Sequence, residues 1–178
     1  MLEYDNLWRF IKARGCHVQE YEELKHVFNL IRGSESYLEV GSAEGNSMYV
    51  LGNALADGAD IAFIDLGEKH TTPDRDQIIG ILTSSGYKVK PIIGNTMHRA
   101  CIEEAQKRCY DVVMIDAGHD YDEVLSDAQN YGPLATKYIL FHDVKLPEVK
   151  RAIDEWRGDR DYYEFINSES FGYGIVKV

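Results

Sequence analysis

Apolar residues recur at helical spacing in the amino-terminal part of the chain. They form two successive patterns, at Leu2, Leu7, Phe10 and Ile11 and then at Tyr21, Leu24, Val27, Phe28 and Ile31. Gly15 separates the two patterns, since glycine is unfavourable inside a helix. The sequence therefore predicts two amphipathic helices, which form a short amino-terminal extension over residues 1–34.

After Gly33 the pattern changes to short apolar runs that alternate with helical segments. The runs lie near Tyr37, Ile61, Val89, Asp111 and Tyr138, and two more, near Tyr162 and Phe171, have no helix between them. Nearly continuous apolar runs are typical of parallel strands that helices cover on both faces. We expect an α/β fold with a Rossmann-like, doubly wound, mostly parallel seven-stranded sheet and a carboxyl-terminal antiparallel hairpin. Residues 1–178 are expected to form one domain.

The charge and the cysteine content narrow the range of partners and locations. With 19 Lys and Arg against 30 Asp and Glu, the net charge is −11, which repels phosphate backbones and anionic lipids. We therefore expect neither nucleic acid nor a membrane as a partner. The amino terminus lacks a signal-peptide pattern. The three cysteines, Cys16, Cys101 and Cys109, are an odd number without CxxC spacing, which favours reduced thiols over disulfides or a zinc site. These features predict a cytoplasmic location.

A glycine-containing loop follows the first predicted strand, at residues 39–47. Gly41 and Gly45 allow a tight turn in which backbone N–H groups approach a ligand. Ala43 stands where the G-x-G-x-x-G pattern has its central glycine, which disfavours a pyrophosphate and favours a phosphate-free nucleoside. Asp65 ends the next strand, where a carboxylate can accept hydrogen bonds from ribose hydroxyls. In the alternative interpretation the glycines only form a strand-to-helix turn and Asp65 caps a loop.

A second group of polar residues follows the fourth and fifth predicted strands. Asp116 and His119 come after the fourth strand, and His142 and Asp143 end the fifth. Neighbouring parallel strands end at one edge of the sheet, so we expect these side chains to converge on a hard divalent ion. Magnesium is the first expectation, while the imidazole of His142 favours manganese or another transition metal. In the alternative interpretation Asp143 caps a helix and both histidines are structural.

The glycine loop and Asp65 together resemble the class I S-adenosylmethionine-dependent methyltransferases, and the resemblance extends from about Tyr37 to the end. In that family an E-x-G-x-x-x-G loop binds the cofactor and an acid after the second strand binds its ribose. The resemblance implies S-adenosylmethionine as the cofactor and places Asn95 and Thr96 beside its adenine. The implied cofactor-binding residues are Glu39, Gly41, Ser42, Gly45, Ser47, Asp65, Asn95, Thr96 and Asp116.

The second polar group is similar to metal-dependent O-methyltransferases of the catechol and macrocin types, the latter having a D-x-x-H-x-Y pattern after the fourth strand. This resemblance implies that Asp116 and Asp143 bind the metal and that His119 is the general base. His142 departs from the pattern, because these families usually have a carboxylate there, and we assign it as a further metal ligand. The implied acceptor is a hydroxyl of a small molecule with vicinal oxygens, such as a catechol or a sugar diol.

Two other functions fit parts of the sequence. An NAD-dependent oxidoreductase would share the fold, but Ala43 argues against its pyrophosphate loop. A non-catalytic module that binds a nucleoside or S-adenosylmethionine would not need Asp116, His119 and Asp143. The short extension also leaves two ways to close the acceptor pocket, namely the extension itself or the second subunit of a homodimer.

Overall fold

The order of helices and strands follows the hydrophobic pattern. The structure, a computed structural model, describes residues 3–15, 20–67, 72–167 and 170–178. Leu2 of the first predicted helix and Cys16, both named above, lie outside the described residues. The strands are β1 (Ser36–Val40), β2 (Asp60–Asp65), β3 (Lys88–Ile93), β4 (Tyr110–Ile115), β5 (Ala135–His142), β6 (Tyr162–Phe165) and β7 (Tyr173–Lys177). The α-helices are α1 (Tyr4–Ala13), α2 (Tyr21–Leu30), α3 (Asn46–Gly52), α4 (Thr72–Ser84), α5 (Arg99–Ala105), α6 (Tyr121–Tyr131) and α7 (Pro147–Arg157).

The strands form a seven-stranded sheet in the order β3-β2-β1-β4-β5-β7-β6. Strands β1 to β5 pair in parallel, whereas β7 runs antiparallel to both β5 and β6. The predicted fold class is therefore confirmed, including the terminal hairpin. The direction in which strands are added reverses between β1 and β4, and ligands of doubly wound sheets bind at such switch points.

Alternate residues of the central strands pack into two cores on opposite faces of the sheet, because successive strand side chains point in opposite directions. Tyr37 of β1 joins the core on the side of α1 to α4, and Leu38 joins the core on the side of α5 to α7. Strand β3 is the exception to continuous burial, since it lies at an edge of the sheet with Lys88, Lys90 and Pro91 exposed. Lysine and proline at an edge discourage pairing with another chain.

The amino-terminal helices pack on the same face as α3. Helix α1 buries Leu7 and Ile11, and α2 buries Leu24, Val27 and Phe28, as the helical spacing predicts. These side chains belong to the main core on that face of the sheet. Within the described ranges, no helix has the length and apolar character that crossing a membrane requires.

Candidate active site

The loop between β1 and α3 comes into direct contact with the residues that follow β4. Gly41 has φ +89°, and a Cβ atom there would overlap the backbone of Asp116 and Ala117. The Asp116 N–H donates to the Val40 carbonyl at 2.8 Å, and the Gly41 N–H donates to the Ile64 carbonyl at 2.9 Å. Glycine is therefore required at position 41 by contact within the protein as well as by its backbone angle.

Ala43 adopts a left-handed backbone conformation, with φ +41°, in the place where the dinucleotide pattern has glycine. A non-glycine residue pays a free-energy cost in this region, so the surrounding contacts must stabilise it. Its N–H donates to Asp65 at 2.9 Å, and its carbonyl accepts from Arg75 at 3.1 Å. The loop conformation is thus held by a carboxylate from β2 and a guanidinium from α4.

Asp65 lies where the sequence predicts, but the protein itself uses its carboxylate. One oxygen accepts the N–H groups of Ser42 and Ala43, and the other accepts from Arg75 at 2.7 Å and from the Gly67 N–H at 3.3 Å. Burial alone would raise the pKa of Asp65, but these donors outweigh it and lower the pKa below its ordinary value. Because a carboxylate has about four acceptor sites, a ribose hydroxyl would have to replace one of these donors.

Glu39 is fully buried beneath the glycine loop. One of its oxygens accepts a hydrogen bond from the Ser47 hydroxyl at 2.5 Å, and the other accepts one from the Tyr37 hydroxyl at 2.7 Å. Burial raises the pKa of Glu39 to about 8. Ser47 lines a cavity at this loop and separates Glu39 from it, so any contact of Glu39 with a ligand would pass through Ser47.

A cavity of about 480 Å³, which we call the Asn95 cavity, opens at the carboxyl ends of β1, β2 and β3. Asp65, Asn95 and Thr96, which the family resemblance implies in cofactor binding, are among the residues that line it. Its walls also include Ile64 and Leu66 from the end of β2. An apolar pocket with a few polar groups is the form that binds small organic ligands such as nucleosides.

The side chains after β4 and β5 converge as predicted. The Nδ1 atom of His142 lies 3.3 Å from Asp116 Oδ1 and 3.2 Å from Asp143 Oδ1. The other oxygen of Asp143, Oδ2, lies 2.5 Å from Nε2 of His119. One ligand atom from each of Asp116, His142 and Asp143 can be chosen so that all lie within 4.8 Å of one another. We call these three residues the acidic triad.

The backbone of Asp143 explains how two consecutive residues reach one site. In a regular strand the side chains of His142 and Asp143 would point to opposite faces. Asp143 has φ +59°, in the left-handed region that aspartate tolerates better than most residues. This turn brings both side chains toward Asp116, and the Leu146 N–H then donates to the Asp143 carbonyl at 2.9 Å.

The carboxylates of Asp116 and Asp143 determine the protonation of the two neighbouring histidines. Burial lowers the pKa of His142, but Asp116 and Asp143 outweigh it and raise the pKa to about 10. The hydrogen bond with Asp143 raises the pKa of His119 against a smaller opposing effect of burial. Burial would raise the pKa of Asp143, yet the two imidazoles lower it well below its ordinary value, so Asp143 is ionised at neutral pH.

A larger cavity of about 680 Å³, which we call the His119 cavity, contains the acidic triad and His119. It shares Gly41 and Asp116 with the Asn95 cavity, so the two meet at the glycine loop. The amino-terminal extension forms one of its walls, through Trp8, Tyr21 and Glu23 among other residues. The segment before β7 contributes Ser170 and Phe171.

Two side chains of the glycine loop carry buried polar atoms that no protein group satisfies. Among the described residues, Ser42 Oγ and both side-chain polar atoms of Asn46 have no hydrogen-bond partner. Both residues line the His119 cavity. Unpaired buried polar groups are costly, so these atoms are available as hydrogen-bond partners for a polar ligand in this cavity.

Sequence reasoning missed Arg75 and Glu23. The side chain of Arg75 is 2% exposed, and the residue lies on the buried face of α4 with Ile78 and Leu82. Glu23 is 0% exposed and lies on the buried face of α2 with Leu24 and Val27. The available signal was a charged residue at a position where helical spacing calls for an apolar one.

A family profile described as "Methyltransferase domain" matches residues 38–144. The match covers more than half of the chain, and the chain belongs to this family and is a methyltransferase. Membership favours the methyltransferase prediction over the oxidoreductase alternative. No curated protein matches the sequence.

Solved O-methyltransferase structures share the fold at low sequence identity. The O-methyltransferase of Bacillus cereus, in complex with SAH, aligns with a TM-score of 0.73 and 14% identity over 98% of this chain and 90% of its own. TomG of Streptomyces achromogenes, an O-methyltransferase of tomaymycin synthesis in complex with SAM, gives 0.72 and 14% over 90% and 81%. CalS11, a TDP-rhamnose 3′-O-methyltransferase of calicheamicin biosynthesis, gives 0.64 and 11% over 88% and 76%. These likenesses establish the fold.

The buried pair between Arg75 and Asp65 yields a stability prediction. Arg75→Met should lower the free energy of unfolding by about 3 kcal/mol, because it leaves a buried carboxylate and a strained loop without their partner. The matched control is Arg99→Met, which breaks the exposed pair with Glu103 and should cost at most about 1 kcal/mol. Urea unfolding monitored by circular dichroism measures both. Equal effects of the two substitutions would contradict the assigned role of Arg75.

Proposed function

We propose that this methyltransferase transfers a methyl group from S-adenosylmethionine to a hydroxyl of a small molecule and uses a divalent cation. The observation that carries the proposal is the junction of the two cavities at Gly41 and Asp116, which brings a nucleoside-type pocket next to the acidic triad. The SAH complex of the Bacillus cereus enzyme and the SAM complex of TomG support the cofactor. The sugar acceptor of CalS11 supports a sugar diol beside a catechol as the acceptor class.

The residues around the glycine loop fit an amino-acid-bearing nucleoside. The unpaired polar atoms of Ser42 and Asn46 offer both donors and acceptors to an ammonium and a carboxylate. The adenosine part would lie in the Asn95 cavity, where Asn95 and Thr96 contribute polar groups. When bound, S-adenosylmethionine supplies the methyl group and its leaving group.

The acidic triad fits a divalent cation. Ligand atoms about 2.1 Å from an octahedral ion are about 3 Å apart when adjacent. The 3.2 and 3.3 Å separations of His142 Nδ1 from Asp143 and Asp116 match this spacing. The mixed oxygen and nitrogen donors suit manganese as well as magnesium. When bound, the cation supplies charge stabilisation and orientation for a hydroxyl oxygen of the acceptor.

In the proposed reaction, the hydrogen bond between Asp143 and His119 selects the ring nitrogen of His119 that acts as the general base. Ionised Asp143 can only accept, so Nε2 of His119 carries the proton at the 2.5 Å contact. Nδ1 of the neutral imidazole is then the acceptor for the proton of the substrate hydroxyl. Asp143 stabilises the imidazolium that results, as the aspartate of a serine protease triad does.

The same reasoning extends to partners and location. A small-molecule acceptor, rather than nucleic acid or a membrane surface, fits the net charge of −11. The free thiols of Cys101 and Cys109 support the proposed cytoplasmic location. A homodimer stays a prediction, to be tested by the mass of the protein in solution.

Cofactor binding tests the first part of the proposal. Asn46→Ala should weaken the binding of S-adenosylhomocysteine at least tenfold, because the variant loses hydrogen bonds to a charged ligand end. Asn29→Ala, an exposed asparagine on α2, is the matched control and should leave the affinity unchanged. Isothermal titration calorimetry measures both dissociation constants. Absence of binding to the wild-type protein would refute the proposed cofactor.

Cation binding tests the second part. Asp143→Asn should weaken Mn²⁺ binding at least tenfold, because one charged ligand of the triad is lost. The control is Asp120→Asn, which makes the same change at an exposed aspartate outside the triad and should retain the wild-type affinity. Calorimetric titration with Mn²⁺ gives both values without any need for turnover. Identical affinities in the two variants would exclude the triad as the cation site.

The assignment of His119 as the base predicts a loss of rate without a loss of binding. His119→Ala should lower kcat by about 10² to 10⁴, the usual contribution of a positioned base, while the S-adenosylhomocysteine affinity stays nearly constant. His98→Ala removes an exposed histidine before α5 and serves as the control. Methyl transfer to catechol and to sugar diols is measured with radiolabelled cofactor. A wild-type rate in His119→Ala would show that another group removes the proton.

A further inference from the structure

Glu23 joins helix α2 to the segment before β7. Its Oε1 atom accepts the Asn167 N–H at 2.8 Å and also the hydroxyl of Ser170. The Glu23 side chain is fully buried, although it carries a carboxylate. Two donors from the β6–β7 segment therefore satisfy one oxygen and fix the position of the other.

The second oxygen of Glu23 has no such donor. Oε2 is buried and lacks a hydrogen-bond partner among the described residues. Glu23 is at the same time one of the residues that line the His119 cavity. A buried carboxylate oxygen without a donor is unfavourable in the free protein, so a ligand that brings a donor to it gains affinity.

Carboxylates outnumber the basic side chains in the cavity around Glu23. Five carboxylates line it, against Lys12, His119 and His142 as the basic side chains among the described residues. The five are Glu20, Glu23, Glu44, Asp116 and Asp143. The aromatic rings of Trp8, Tyr21 and Phe171 provide apolar surface in the same cavity. Such a lining favours a ring compound that is cationic or uncharged and disfavours one that carries a carboxylate or a phosphate.

The connection of Glu23 to the acidic triad runs through β7. Tyr173, at the start of β7, pairs with His142, and its ring lies 4.8 Å from the imidazole. Ser170 and Phe171 lie three and two residues before the first residue of this strand, and the Lys145 N–H donates to the Phe171 carbonyl at 3.0 Å. Glu23 is therefore fixed relative to the strand that carries His142, as a subsite for the acceptor requires.

We propose that Glu23 is a specificity-determining residue of the acceptor site, whose Oε2 accepts a hydrogen bond from an ammonium or hydroxyl group of the acceptor. The acceptor class is a hydroxylated ring that carries a second donor group away from the reacting hydroxyl. Phenolic amines and amino sugars share this chemistry, whereas carboxylated and phosphorylated acceptors are disfavoured. The inference rests on the proposed function, since it concerns the acceptor of that reaction.

The experiment compares two catechols that differ in one ring substituent, a cationic aminomethyl group that donates hydrogen bonds in one and an anionic carboxylate that only accepts them in the other. Dissociation constants of 3,4-dihydroxybenzylamine and 3,4-dihydroxybenzoate are measured by calorimetry with S-adenosylhomocysteine and Mn²⁺ present. The wild-type protein should bind the amine at least tenfold more tightly than the acid. An amino sugar and its N-acetyl derivative form a second pair, which distinguishes a sugar ring from a phenol.

Glu23→Gln is the diagnostic variant. Glutamine keeps an acceptor oxygen for Asn167 and Ser170 and replaces Oε2 by an amide that donates. The preference for the amine should fall at least tenfold in this variant while the melting temperature stays close to that of the wild type. Glu22→Gln removes the same charge from the adjacent exposed position on α2 and should keep the wild-type preference.

The possible results test the Glu23 subsite and the proposed methyl-transfer reaction independently. Equal affinity of the wild type for both members of each pair, or no binding of any probe, overturns the subsite. An unchanged preference in a folded Glu23→Gln variant overturns it as well, and if that variant does not fold, the wild-type ratio alone decides. A retained amine preference without methyl transfer from S-adenosylmethionine supports the subsite and refutes the proposed reaction.

Discussion

The contact between the glycine loop and the backbone after β4 is the constraint on which the site depends. Gly41 approaches Asp116 and Ala117 so closely that no side chain fits between the two segments. The contact sits at the switch point of the sheet, where the loops after β1 and β4 diverge to opposite faces. Asp116 lines both cavities because of this approach. A displacement of the loop would therefore disturb the Asn95 cavity and the acidic triad together.

A balance of charge governs the acidic triad. Two carboxylates next to each other repel, and in the absence of a metal ion the protonated imidazole of His142 compensates them. A cation bound by His142 requires a neutral imidazole, so the proton on His142 and the cation exclude each other. Asp143 divides its two oxygens between His142 and His119, which couples the charge at the triad to the protonation of His119. The sequence did not predict that Asp143 also contacts His119.

The sequence predicted the parts of the site that lie at the carboxyl ends of strands. Asp116 directly follows β4, and His142 and Asp143 stand at the end of the neighbouring β5, so their convergence follows from strand order alone. Contacts that helix side chains make with the strand ends were not predictable in this way. Arg75 pairs with the β2 carboxylate of Asp65 from a helix whose local pattern does not specify that partner. The carboxylate of Asp65 was correctly placed, but its use by the loop depends on that tertiary contact.

In the proposed acceptor site, helix α2 gives the amino-terminal extension a role in binding as well as in covering the sheet. Leu24, Val27 and Phe28 fix the helix in the core, and Glu23 lies next to them on the same buried face. The position of the Glu23 carboxylate is therefore determined by core packing, which is close to rigid. A binding wall that is already in place costs little conformational entropy when the ligand binds. Because the chain itself supplies this wall, a second subunit is not needed to provide its polar group.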